Sequence, residues 1–487
     1  MQKLSIAIFL FLIFGMYGCR KFASFQTDPN KTTQATPDLL LTNIERLAFN
    51  EISMSCPLAA RQLVNTDGVD NNQYYGWQRS GFGDYNNLRQ VLKMEEEANR
   101  LNKPAYLALA KFFRAYFFMR LTLTFGDVPY SEALKGDGDN FTPVYDKQED
   151  IFISILDNLK SAGNDLSKAT ADDIRGDIVY NGNITQWKQA INSFSLRILM
   201  SLSLKENNTK LNVKQRFAEI VNNPTQYPLF TGNVDNAQLV FYDLQDNRYP
   251  LYNNNSLQTA YYLEETFINL LKGVHDPRLF TFAQKAPQHA SQPDNDFTAY
   301  GGVKGSATID ENTIRVTAGE ASKIAKRYYN NPINEPSIAM GYAELQFILA
   351  EAVVRKWIGG NADDYYKKGI QASMEFCKVA AGDILTYKAQ PAVQLQPGNE
   401  LVNIFNQKYI AFFMNSGWQL FYEQRRTGLP VFDVSGNGVL NNKKIPKRWM
   451  YPESELNLNQ QHVTDAINRQ YQQGDDINGV MWLLVQE

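Results

Sequence analysis

Ala108-Leu109-Ala110-Lys111-Phe112-Phe113-Arg114-Ala115-Tyr116-Phe117-Phe118-Met119-Arg120-Leu121, with its exit Phe125-Gly126-Asp127-Val128-Pro129-Tyr130, decides how the chain is read. Leu109, Phe113, Tyr116 and Arg120 recur at helical spacing, and the residues between them are mostly apolar as well. A helix with so little polar surface must be covered on most sides by other helices. Asn102-Lys103-Pro104 places a proline in the first turn, where its missing N–H costs nothing. Gly126 followed by Pro129 supplies the stop. The reading is an all-α scaffold with this helix at its centre.

The rest of the chain fits such a scaffold. Its 487 residues suffice for a large core or two lobes. A hydrophobic content of 44% with 20% charged residues is ordinary for a folded protein. A net charge of −3 gives no basic footprint for nucleic acid. Aromatics make up 13%, which suits either a tyrosine-rich core or a stacking surface.

Met1-Gln2-Lys3, the apolar run over 6–14 and Gly18-Cys19 follow the pattern of a secretory signal over 1–18. A small residue directly before Cys19 resembles a bacterial lipobox, which implies that Cys19 is lipidated; Met16 and Tyr17 depart from the usual residues. Residues 19–36 are polar and contain proline, as a flexible tether does. No other stretch reaches the ~20 apolar residues of a membrane span. Cys56 and Cys377 read as two buried thiols, with pairing in an oxidising compartment the alternative.

Periodicity predicts helices over 38–54, 88–102, 148–166, 183–204, 213–221, 337–357, 363–380 and 400–422. Thus 37–222 and 337–426 form the scaffold. Between them, 223–336 turns towards Asn, Gln, Gly, Pro and Tyr; one helix is expected there, over 256–271, and a small β-hairpin over 313–329. The tail 427–487 is loop-rich. Pairs such as 88–102 with 104–123, and 338–357 with 363–380, have the length of tetratricopeptide units, without a full signature or fixed period.

Several segments together resemble the SusD/RagB family of outer-membrane glycan-binding lipoproteins from Bacteroidetes-type bacteria, most closely its SusD-like type 2 branch. They are Arg114-Ala115-Tyr116 leading to Gly126-Asp127-Val128-Pro129, Trp187-Lys188-Gln189-Ala190 to Leu196-Arg197, and Asp276-Pro277-Arg278-Leu279. Tyr342-Ala343-Glu344 through Ala350-Glu351-Ala352, Arg425-Arg426-Thr427-Gly428 and Arg448-Trp449-Met450-Tyr451-Pro452-Glu453 follow in the expected order. The resemblance implies tetratricopeptide-like helix pairs beneath an irregular, ligand-facing half. It also implies a surface-facing outer-membrane lipoprotein that passes a glycan to a SusC-like TonB-dependent transporter. Arg20-Lys21-Phe22 lacks the acidic pair that often follows the lipidated cysteine in such exported proteins.

Catalytic signatures are sparse. There is no Gly-x-Ser-x-Gly elbow, His-Glu-x-x-His or phosphate-binding glycine loop, and His275, His289 and His462 have no metal spacing. No enzyme, cofactor or metal is expected; a glycosidase, which needs only two carboxylates at the right separation, is the least favoured alternative. Glu344 and Glu351 read as scaffold acids that bind arginines or helix ends, and Asp276-Pro277-Arg278 as a turn closed by an ion pair. Asp137-Gly138-Asp139-Asn140 reads as a polar turn, since it lacks the remaining ligands of a calcium loop.

Glycan binding needs aromatic planes for the apolar sugar faces and polar side chains for the hydroxyls. Tyr74, Tyr75, Trp77 and Gln78, with Tyr85 and Asn86, combine both in an expected loop over 68–87. Tyr249 with Tyr252, and Tyr300, are further candidates; the alternative is that these rings anchor their loops. Trp187, Trp357, Trp418, Trp449 and Trp482 sit in apolar or signature contexts and read as core. The rival to glycan capture is a structural lid without glycan affinity, or one that handles peptides.

Overall fold

The computed structural model describes residues 35–169 and 174–487. The signal segment 1–18, Cys19 and nearly all of the 19–36 tether lie outside the described residues. Fourteen helices of nine residues or more organise the described chain. They are α1 (Pro37–Phe49), α2 (Asp84–Arg100), α3 (Pro104–Phe125), α4 (Gln148–Leu166), α5 (Ile184–Ser201), α6 (Val213–Asn222) and α7 (Glu265–Gly273). The second half adds α8 (Ile309–Thr317), α9 (Tyr342–Val354), α10 (Ala362–Phe376), α11 (Ala381–Ala389), α12 (Glu400–Ala411), α13 (Gln419–Thr427) and α14 (Gln460–Gln470).

Helix α3 is the opening stretch, and sixteen of its twenty-two residues are buried. Pro104 occupies its first turn and Gly126 ends it at φ +91°, a backbone angle that side chains disfavour. Phe113 packs its ring against Phe49 of α1, Phe112 of its own helix and Trp187 of α5, at centroid distances of 5.8, 5.1 and 5.8 Å. Each of α1 to α5 packs on the next, and α2 and α3 are joined by a connection of only three residues. Across the irregular region, α5 packs on α9, which pairs with α10 and α12. The expected pairs α2–α3 and α9–α10 are both present.

Charge ties the halves together. Arg197 of α5 binds Glu344 of α9 through two nitrogens, with both groups buried. Arg426 of α13 reaches Glu351 of α9 at 2.7 Å and Glu423 at 2.7 Å, and Lys408 of α12 meets Glu423 at 3.2 Å. Glu344 and Glu351 are therefore scaffold acids, as expected. Burial alone would raise the Glu423 carboxyl, but Arg426 and Lys408 outweigh it and hold it at about 2. Asp276 and Arg278 close their turn by a fully buried pair at 2.6 Å, and Arg278 also binds Ser373 and Gln407. Cys56 and Cys377 are free thiols, each pushed up to about 12 by burial.

Five expectations change. The 38–54 helix stops at Phe49, five residues early. The 256–271 stretch is not one helix: a short turn at Asn255–Thr259 is followed by strand Tyr261–Leu263, which pairs antiparallel with Leu63–Asn65, and then α7. No hairpin forms over 313–329. Thr308 and Glu311 make a reciprocal capping box that starts α8 through this segment. Strand Ser337–Met340 precedes α9 and pairs with Ala237–Leu239, so the 337–357 helix begins five residues late. Finally, 400–422 is two helices, broken where Met414, Ser416 and Gly417 take positive φ.

Candidate functional site

That last break opens onto a cleft of about 530 Å³. Its floor is one face of α3: Tyr116, Met119, Arg120, Leu123 and Thr124. Ser416, Trp418, Gln419 and Tyr422 come from the break and the first turn of α13. Ser80, Gly81, Gly83, Asp84 and Asn87 come from the loop before α2 and its first turn. Glu51 follows α1, and Trp449 belongs to the C-terminal tail.

The tail reaches this place by backbone pairing. Trp449 N–H donates to the Thr124 carbonyl at the end of α3, and Ser80 N–H donates to the Met450 carbonyl. Trp449 thereby meets Trp418 edge-on at 4.8 Å and lies flat on Trp77 at 4.0 Å. Trp418 and Trp449 are half-buried, whereas Trp77 is 4% exposed. Behind the aromatic wall, Trp77 acts as a backing plate.

The polar floor is a bridge of charge. Arg120 Nε lies 3.1 Å from Asp84 Oδ2, and its Nη1 lies 3.3 Å from Glu51 Oε1. Tyr116 Oη donates to the same Glu51 oxygen at 2.7 Å, and Asn87 Nδ2 donates to Asp84 at 2.9 Å. Burial raises the Asp84 carboxyl, with Arg120 opposing it. Burial and then the Glu51 charge lift the Tyr116 phenol well above its usual range, so that it donates rather than ionises. Gly417 stands so close that a Cβ there would lie 2.1 Å from Glu51 Oε2. Aromatic faces beside held carboxylates, an amide and hydroxyls can stack sugar rings and take up their hydroxyl hydrogens.

The predicted binding residues are distributed differently. Tyr74, Tyr75, Trp77, Tyr249 and Tyr300 are buried, so they anchor their loops and present no face to solvent. Tyr75 donates to the Ala59 carbonyl under the Arg61 guanidinium, Tyr300 donates to the Asp294 carbonyl, and Tyr249 packs edge-on against Phe241. The physical reason is that a ring this large finds cover when a helical wall lies within reach. Tyr85 is half-buried and bonds the Pro129 carbonyl. Gln78 and Asn86 are exposed, and Tyr252 is half-buried beside Arg248. None of these nine lines the cleft, although the 68–87 segment does so through its smaller residues. Trp418 and Trp449, read as core, line it together with Tyr116, Phe125, Phe194 and Tyr422.

The helical architecture and the order of the sequence motifs agree with the comparisons. The family described as starch-binding and associating with outer membrane, SusD-like_2, matches residues 29–452. The chain belongs to the SusD-like family. A SusD homolog from Bacteroides fragilis is 42% identical, over 93% of this chain and all of that one, with a TM-score of 0.86. A second SusD homolog from that organism is 33% identical, over 92% and 100%, also at 0.86. An outer-membrane protein from Bacteroides vulgatus, ascribed to nutrient binding, is 39% identical over 92% and 100%, at 0.84. No curated protein matches the chain. SusD-like proteins are described by binding and not by catalysis, and by association with the outer membrane.

Proposed function

We propose that this SusD-like protein captures a glycan in the cleft over α3 and passes it to a SusC-like TonB-dependent transporter, without chemistry of its own. The observation that carries the reading is the Trp418–Trp449 pair, half-buried beside Glu51, Asp84 and Asn87 in one cavity. Indole rings are costly to leave in water, and a pair held edge-on above hydrogen-bonding groups suits a sugar's two-sided chemistry. Lipidation at Cys19 would hold the protein at the outer membrane, facing outward beside its transporter.

A polysaccharide and oligosaccharide array tests the capture step. At least one glycan should bind the folded protein, and the bound ligand should shift tryptophan fluorescence. A blank array with an intact melting transition would overturn it. Isolation in mild detergent tests the partnership: a large β-barrel should co-purify, and its absence counts against the transporter.

A further inference from the structure

The ionisable groups lining the cleft are unequally matched. Besides the neutral tyrosines they are Glu51, Asp84, Arg120 and Arg197, and no lysine is among them. Arg197 is already neutralised by Glu344, which does not line the cleft. Arg120 is shared between Glu51 and Asp84. Two carboxylates thus face one lining guanidinium that is not already neutralised, and neither lining guanidinium is free to receive an anion. Arg425, which has no acid partner among the described residues, lies behind the wall over the Tyr422 ring and gives its N–H groups to the Leu123 and Lys447 carbonyls, so it too is closed to a ligand.

We propose that this cleft is a charge filter, admitting glycans that are neutral or carry amino groups and turning away polymers of uronic acids or sulfated sugars. The inference rests on the glycan reading above and names the class of ligand. A neutral sugar donates its hydroxyl hydrogens to Glu51 and Asp84. A protonated amino group does so with added attraction. A carboxylate or sulfate meets carboxylate oxygens, and could recruit Arg120 only by stripping it from both partners. One unit charge at about 6 Å, in an effective dielectric of about 40, alters affinity roughly tenfold. Ionic strength screens the effect where the cleft is open to solvent.

The test is an array with three classes: neutral polymers (starch, xylan, galactomannan, β-glucan), chitosan as the amino-sugar polymer, and polygalacturonate, alginate and chondroitin sulfate as the acidic ones. Wild type, a Trp418→Ala/Trp449→Ala variant and a Glu51→Gln/Asp84→Asn variant are compared at low and physiological salt. Binding that depends on the tryptophans is expected only among neutral and amino-sugar polymers. The carboxylate variant removes both negative charges beside Arg120, so polygalacturonate should gain about tenfold or more at low salt and chitosan should lose affinity. Should that variant melt early, Asp84→Asn alone keeps the Glu51–Tyr116 bond and should move both affinities in the same directions. Tryptophan-dependent binding of an acidic polymer to wild type overturns the filter while leaving glycan capture intact. An unchanged ranking in the folded carboxylate variants overturns it too. Failure of every class removes glycan capture itself, and the filter with it.

Discussion

Phe113 shows what a single side chain does in this fold. Its ring is fully buried among Phe49, Phe112 and Trp187, and it does not line the cleft. Phe113→Ala should lower stability by about 3–5 kcal/mol in denaturant unfolding, because the cavity cannot collapse against so many rings. Ligand affinity of the folded fraction should stay as in wild type. Glu45 of α1 makes a second residue-scale case. It is fully buried, accepts the Ile178 N–H at 2.7 Å, and is raised well above the usual carboxyl range by burial first and by the Asp177 charge second. Folding therefore takes up a proton above the unfolded pKa of about 4.5, and stability falls by up to about 1.4 kcal/mol per pH unit until the folded pKa is passed. Between pH 5 and 7, Glu45→Gln should flatten that slope in chemical unfolding curves; a slope identical to wild type would contradict the assignment.

At the scale of elements, the break between α12 and α13 creates the site. Gly417 sits at φ +54°, with Glu51 Oε2 against the place a Cβ would take. Gly417→Ala should lower stability by about 1–2 kcal/mol for the left-handed backbone alone. It should also displace Glu51 from Arg120 and weaken ligand binding, which melting and titration on the same preparation separate. The break was hard to read because apolar residues run through Phe412 and Phe413 to Leu420 and Phe421. Asn415-Ser416-Gly417 was nevertheless a legible stop. Thr308 and Glu311 were likewise a legible start for α8, where a hairpin was expected. The strand before α9 was not legible, since Ser337–Met340 pairs with residues about a hundred positions away. Helices α3 and α4 lie close to where periodicity puts them because their burial pattern is local.

For the whole molecule, the scaffold was readable and the site only in its neighbourhood. Apolar period and the order of motifs led to the helical fold and the family. Which rings face solvent depends on how the tail returns to α3, and no local pattern encodes that return. Trp77 was read as a ligand-facing ring and proved to be the support beneath one. Trp449 reads as core because it sits in the Arg448–Glu453 signature, whose Arg448 and Tyr451 are indeed buried. The α3 helix is more than the centre of the scaffold, since Tyr116, Met119 and Arg120 form the cleft floor.

Ligand is expected in the cleft over α3, against the exposed parts of Trp418 and Trp449. Calorimetric titration of the glycan selected on the array, into wild type and the folded Trp418→Ala/Trp449→Ala variant, tests it most directly. Loss of two stacking faces at roughly 0.5–1.5 kcal/mol or more each predicts at least a fivefold to tenfold fall in affinity, titrated well below the lowered melting transition of the variant. Equal affinity in the two proteins would place the ligand elsewhere on the surface.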